Sequence, residues 1–176
     1  MSAQLKKMKE KILQAALDLY TSKPPQNVIV KEIAEKAGIS VGLIFYYFKT
    51  KDDLEKEVVS YLIEECISVK VSNIEEFVNS SLKMIKEKPR IFRFLQYVFE
   101  KEKQKGSKDL ALKIYKRGIE RLEPLLKELK VENPKKLATL VMALIDGLAL
   151  YSFFLDLNVE EYISDLIELI KCRGEK

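Results

Sequence analysis

The chain has 176 residues, of which 47% are hydrophobic and 33% charged. That is long enough to bury a core and too apolar for a disordered segment. With no histidine, and with two cysteines (Cys66 and Cys172) far apart and in no metal or redox spacing, the composition excludes a disulfide scaffold, zinc centres and His-dependent nucleophilic catalysis. No phosphate-cradling glycine loop occurs, so neither an enzyme, a metal nor a cofactor is expected. The N-terminus is polar and carries no secretory leader, which points to a reducing cytoplasm. Net charge is +4, unevenly placed: residues 1–51 hold nine Lys/Arg against four Asp/Glu, and the remainder 22 against 23. The positive excess therefore sits at one end, as in a protein that presents that end to phosphates.

The helical patterns follow one another along the chain. Ile12, Ala15, Ala16, Leu19 and Tyr20 fall on one face of a first helix over 5–22, which Pro24 and Pro25 end. A second helix is expected over 31–37, with Ile33, Ala34 and Ala37 inward, stopping at Gly38 as a left-handed cap. Ser40 is placed to cap a third over 41–48. Thr50 caps a fourth, reaching about residue 69, and Asp52, Asp53 and Glu55 in its first turn suit the helix dipole. Further helices are expected over 74–86, 89–103 (Pro89 at its start), 109–129 (with a kink at Pro124), 134–155 and 160–171. No alternating run of strand length competes. The expectation is an all-α protein of nine helices. It divides into a helix-turn-helix domain over 1–51, with the motif at about 29–48, and a C-terminal domain over 52–176.

In the motif, Ile33, Ala34, Ala37, Ile39, Ile44 and Phe48 are placed to lock two short helices together around Gly38. Val41, Gly42, Leu43, Tyr46 and Tyr47 are left to face outward. This is the arrangement by which a helix is presented to a DNA groove. The run IAEKAGISVGLIFYYFKTKDDL resembles the DNA-binding signature of the TetR family of transcriptional regulators, matching at Ile33, Ala34, Ala37, Gly38, Ser40, Gly42, Tyr47, Phe48, Lys51 and Leu54. The resemblance implies DNA contacts from Lys31, Ser40, Val41, Gly42, Leu43, Tyr46, Tyr47 and Lys51. Of these, Val41, Gly42 and Leu43 would lie at base edges, and Lys31 and Lys51 near phosphates. Three positions depart from the family pattern. Val30 stands where a capping, phosphate-touching threonine is usual. Leu43 replaces a small or hydroxylated residue, and Phe45 replaces a tyrosine. Readout is therefore expected to be apolar, with Val41 and Leu43 on thymine methyls.

Residues 137–155 carry a single charge, Asp146. A helix apolar all round is either buried or crosses a membrane, and the central Asp argues for burial. The resemblance implies that helices eight and nine pair with their symmetry mates in a homodimer, here through Ala143, Gly147, Tyr151, Ile163, Ile167 and Ile170. It also implies a pocket for a small, largely apolar effector. Arg93, Phe94, Gln96, Tyr97, Val98, Tyr115, Ile119, Asp146, Phe153 and Phe154 are its candidate lining, and helix six would move against helix four when it fills. The expected function is a repressor that the effector releases from a palindromic operator. The alternative is a helical membrane-associated or interaction protein without a DNA role.

Overall fold

A computed structural model describes residues 3–88, 90–155 and 157–172. Pro89 and the side chain of Phe153 lie outside what is described. Nine α-helices are present among the described residues, with no strand: α1 (Ala3–Ser22), α2 (Val30–Ala37), α3 (Val41–Tyr47), α4 (Lys51–Ser68), α5 (Ile74–Glu87), α6 (Ile91–Gln104), α7 (Asp109–Glu128), α8 (Pro134–Leu155) and α9 (Ile163–Lys171). A 3-10 turn, Pro25–Asn27, follows α1, and another, Val159–Tyr162, takes the first turn expected of helix nine. α7 runs through Pro124 without ending. Proline there removes one backbone donor.

The chain forms two compact units. The first is Met1–Ser68 with Arg93–Ser107, and the second Val69–Phe92 with Lys108–Lys176. The unit that carries the helix-turn-helix thus includes α4 and most of α6, well past residue 51.

In the first unit, the inward stripe of α1 (Ile12, Leu13, Ala16, Leu17, Tyr20) is buried together with Ile33, Ala34 and Ala37 of α2, Ile44 of α3 and Leu54, Val58 and Val59 of α4. Burial of the larger of these side chains, about 1.5–3 kcal/mol for each Ile, Leu or Val, holds the short α2 and α3, which would not form alone. The second unit closes around Phe77, Val78, Leu82 and Ile85 of α5, Ile119, Leu122 and Leu126 of α7, Ala138, Val141, Ile145 and Ala149 of α8, and Leu166 and Ile170 of α9. α7 and α8 approach closely at Gly118, where a Cβ would come 2.6 Å from Met142 Sδ. Among the described residues no helix is long and apolar enough to cross a membrane.

Candidate nucleic-acid interface

The turn between α2 and α3 is fixed by backbone chemistry. Gly38 has φ +62°, a conformation that costs other L-residues roughly 1–2 kcal/mol. Its N–H donates to the Glu35 carbonyl (3.0 Å) and the Ile39 N–H to that of Ala34 (3.0 Å), closing α2 with paired carbonyls. Ser40 Oγ accepts the Leu43 N–H at 3.2 Å and so caps α3. At the start of α4, Thr50 N–H donates to Asp53 Oδ2 and Asp53 N–H donates to Thr50 Oγ1, each at 3.1 Å. This is a reciprocal box that satisfies two otherwise unpaired donors.

Val30 offers no hydroxyl cap to α2, and the structure supplies another. Glu32 accepts the Ile29 N–H at 3.1 Å and the Lys23 ammonium at 2.5 Å. These bonds hold its carboxyl below the usual range, the Lys23 bond more than the backbone one.

The faces of α3 divide cleanly. Ile44 is buried on α3, as is Phe48 just beyond its end. Val41, Phe45 and Tyr46 are exposed, at 36%, 45% and 73%. Gly42 is exposed with open space over its Cα. Leu43 and Tyr47 are half-buried, and the Tyr46 and Tyr47 rings meet edge to face at 5.4 Å. The outward apolar pair of α3 is therefore Val41 with Phe45, one turn apart, rather than Val41 with Leu43. Lys31 and Lys49 are exposed, Lys31 lying 3.9 Å from Glu35.

Lys51 is held differently. Its Nζ donates to the Val28 carbonyl at 2.6 Å and lies 3.6 Å from Glu55 Oε1. Its side chain is 29% exposed, against 73% for Lys31.

Behind this face lies a layer of ion pairs. Glu55, 1% exposed, accepts from Tyr20 Oη at 2.9 Å and from Lys101 Nζ of α6 at 2.5 Å. Burial, with the Glu55 charge beside it, drives the Tyr20 phenol far above its ordinary value. Burial works to lower the Lys101 ammonium, but its bonds to Asp52 and Glu55 outweigh that and leave it raised. Asp52 pairs with Lys101 and Lys105, which hold its carboxyl down from 3.8 to about 2. A carboxyl depressed on folding contributes stability that is present above its unfolded value and lost as pH falls through the folded one. The thermal midpoint of the wild type is therefore expected to drop between about pH 4 and pH 2. Asp52→Asn should flatten part of that drop in circular-dichroism melts; parallel curves for the two proteins would contradict it.

The candidate effector residues divide between the units. In the first, Phe94 is fully buried, its ring stacked on Tyr20 at 4.2 Å, and Val98 is buried beside it in sequence by one turn. Tyr97 is half-buried under the Lys101 ammonium, while Arg93 and Gln96 are exposed. In the second, Ile119 is core, Tyr115 Oη is 2.8 Å from Thr139 Oγ1, and Asp146 and Phe154 are exposed. Asp146 keeps an exposed edge, yet partial burial of its carboxyl pushes it above its ordinary value.

The candidate dimer residues also divide. Ala143 and Tyr151 are exposed and Gly147 is half-buried on one side of α8. Ile163 and Ile167 are half-buried and packed on the core, and Ile170 closes that core at 2% exposure. Leu140, Leu144, Phe154 and Leu155 of α8, together with Leu169 of α9, are surface residues that the sequence pattern does not mark as such. All five are exposed. Their spacing with Ala143 and Tyr151 makes one continuous outward stripe on α8.

Residues 12–58 match the family profile described as bacterial regulatory proteins, tetR family. An HTH-type transcriptional repressor of Mycobacterium tuberculosis is 39% identical over 51 residues, a match that covers 29% of this chain and 27% of that one. The chain thus aligns with only about a quarter of the length of such curated relatives. Two solved structures share the fold along nearly the whole chain. A TetR-family transcriptional regulator from Rhodococcus sp. has a TM-score of 0.75 at 17% identity, covering 96% of this chain and 99% of that one. A transcriptional regulator from Saccharomonospora viridis, in complex with choline, has a TM-score of 0.70 at 20% identity, covering 94% and 96%. The α2–α3 pair, its glycine turn and its caps all lie within residues 12–58, so this segment is a domain of the tetR-family type, and the chain as a whole has the fold of TetR-family transcriptional regulators.

Proposed function

We propose that the protein is a cytoplasmic DNA-binding transcriptional regulator that acts as a homodimer on a two-fold symmetric operator. The observation that carries this reading is the outer face of α3. Val41, Phe45 and Tyr46 stand exposed on a helix whose inward residues are already satisfied, and a partner is needed to cover them. Lys31 and Lys49 flank them with positive charge. Val41 and Phe45 meet thymine methyls in the major groove, Gly42 allows close approach, and Tyr46, Tyr47 and Ser40 supply hydroxyls to bases or phosphates. The readout is thus more apolar than hydrogen-bonded, and the electrostatic share of affinity is large.

The outward stripe of α8 carries the dimer, joined by Leu169 of α9. A two-fold axis there presents the two α3 helices to half-sites about 34–36 Å apart. A small, largely apolar effector, bound by the C-terminal helices with Tyr115 and Asp146 among its contacts, releases the protein from DNA. Repression followed by release fits a relative named as a repressor and a structural neighbour solved with a small molecule bound. To reverse a 99:1 population the effector must favour the released state by about 5.5 kcal/mol.

The test is binding of duplex DNA at several salt concentrations. Log K is expected to fall steeply and linearly with log salt, with a slope of several units as each neutralised phosphate contributes about 0.9. A flat line sinks the proposal.

A further inference from the structure

Among the described residues, two charged side chains are buried, Glu55 and Glu102, and both belong to the first unit. A buried carboxylate persists where it is paired, and removing one partner leaves a charge with no compensation. Glu102 of α6 has Lys56 of α4 at 2.9 Å. Glu55 has more partners, and they come from three directions. Oε1 takes the Tyr20 hydroxyl from α1 and faces Lys51, and Oε2 takes Lys101 from α6. Lys51 is in turn shared, since it donates to the carbonyl of Val28 in the segment that leads into α2. A single line of polar contacts therefore runs from α6 to the backbone that launches α2 and α3: a hydrogen bond from Lys101 to Glu55, an ion pair from Glu55 to Lys51, and a hydrogen bond from Lys51 to Val28. Within it Lys51 lies between two acceptors, the Val28 carbonyl at 2.6 Å and the Glu55 carboxylate at 3.6 Å.

We propose that Lys51 is a positioning residue rather than a phosphate ligand, and that Glu55 is the junction through which α6 sets the placement of α2 and α3. With Lys101 in place, the Glu55 charge is met from α6 and Lys51 stays on the Val28 carbonyl. When α6 withdraws Lys101, Glu55 is left buried and under-compensated. Lys51, the nearest remaining cation, then moves onto it and releases Val28. The α2 segment loses its anchor, and the outward face of α3 loses its fixed orientation. Asp52, which shares Lys101 and also holds Lys105, and the Lys56–Glu102 pair add to the grip of α6 on α4 without touching Val28. This inference deepens the DNA-binding reading and rests on it.

The test uses the full chain and a duplex selected by the wild-type protein. Lys101→Met is expected to weaken binding at least about tenfold, within the usual range of coupling between sites, and Lys101→Arg to bind as wild type. The double variant Glu55→Gln/Lys101→Met is expected to recover much of the lost affinity, because a neutral Gln no longer draws Lys51. A merely structural network would make the double variant worse than the single one, and that result overturns the junction. Lys51→Met is expected to weaken binding with the salt slope unchanged. A slope reduced by about one identifies Lys51 as a phosphate ligand and overturns its positioning role.

Hydrogen exchange of the α2 amides gives a readout that needs no DNA. Exchange should be faster in Lys101→Met and restored in the double variant, and equal rates in all three proteins overturn the inference. If the wild type binds no duplex, the DNA-binding reading fails, and the exchange experiment still decides the coupling. If Lys101→Met does not fold while the double variant does, the uncompensated Glu55 charge is confirmed as the cause. If neither folds, the network is structural and the junction is rejected.

Discussion

Phe94→Ala is expected to destabilise the first unit by about 3–5 kcal/mol. The side chain is fully buried, and its ring lies against Tyr20 with centroids 4.2 Å apart and planes at 18°. Truncation removes the transfer free energy of the ring, forfeits a stacked aromatic pair worth about 0.5–1.5 kcal/mol, and leaves Tyr20 facing a void. Tyr20 cannot swing to fill it without breaking its 2.9 Å bond to Glu55, so the site collapses poorly and the cost belongs at the high end. Against a total stability of roughly 5–15 kcal/mol for a typical domain, the variant should be partly unfolded at 37 °C. Urea unfolding followed by tyrosine fluorescence measures this. A variant as stable as the wild type would mean that Phe94 lines an open space, as a pocket wall would, instead of filling the core.

The double substitution Leu144→Glu/Tyr151→Glu is expected to abolish dimers. Leu144 and Tyr151, two turns apart, stand 50% and 56% exposed on the outer stripe of α8, away from Val141, Ile145 and Ala149, which face the core. The change therefore leaves the protomer's own packing intact. In a two-fold interface every substitution occurs twice, so four unpaired carboxylates would be brought together out of water, each costing several kcal/mol. Sedimentation should show a 20.4 kDa species in place of one twice that mass, and binding to a two-half-site duplex should weaken by orders of magnitude as the second half-site contact is lost. A double variant that sediments as the wild type does would place the interface elsewhere.

The helices were legible in the sequence because local chemistry specifies them. The 3.6-residue spacing of Ile12, Ala16 and Tyr20, the left-handed Gly38, and the Ser40 and Thr50 caps each act within a turn or two of chain. What escaped the sequence depends on partners distant along it. The Lys51 side chain is long and flexible, and its direction is set by Val28, 23 residues away. Phe94 reads equally well as core or as pocket wall until Tyr20 is seen against it. Residues 137–155 are apolar on every side, so no periodicity separates the face that meets the core from the face left outside, and Leu140, Leu144 and Leu155 gave no signal of their own. On α9 the stripe Ile163, Leu166, Ile167 and Ile170 was regular, but regularity shows an apolar face without saying whether α5 or a second subunit covers it. Phe45 showed only a missing hydroxyl in sequence; its exposure beside Val41 is a matter of how α3 rolls on α2.

The measurement that bears most directly on the central claim is selection of bound DNA from a random duplex pool by the full chain. An inverted repeat is expected, with half-sites centred about one helical turn, or a multiple of it, apart. Thymines should be enriched where Val41 and Phe45 meet the groove, and deoxyuridine in their place should weaken binding by removing the methyl groups. No enrichment over the starting pool, or recovery of a lone half-site without symmetry, would contradict it.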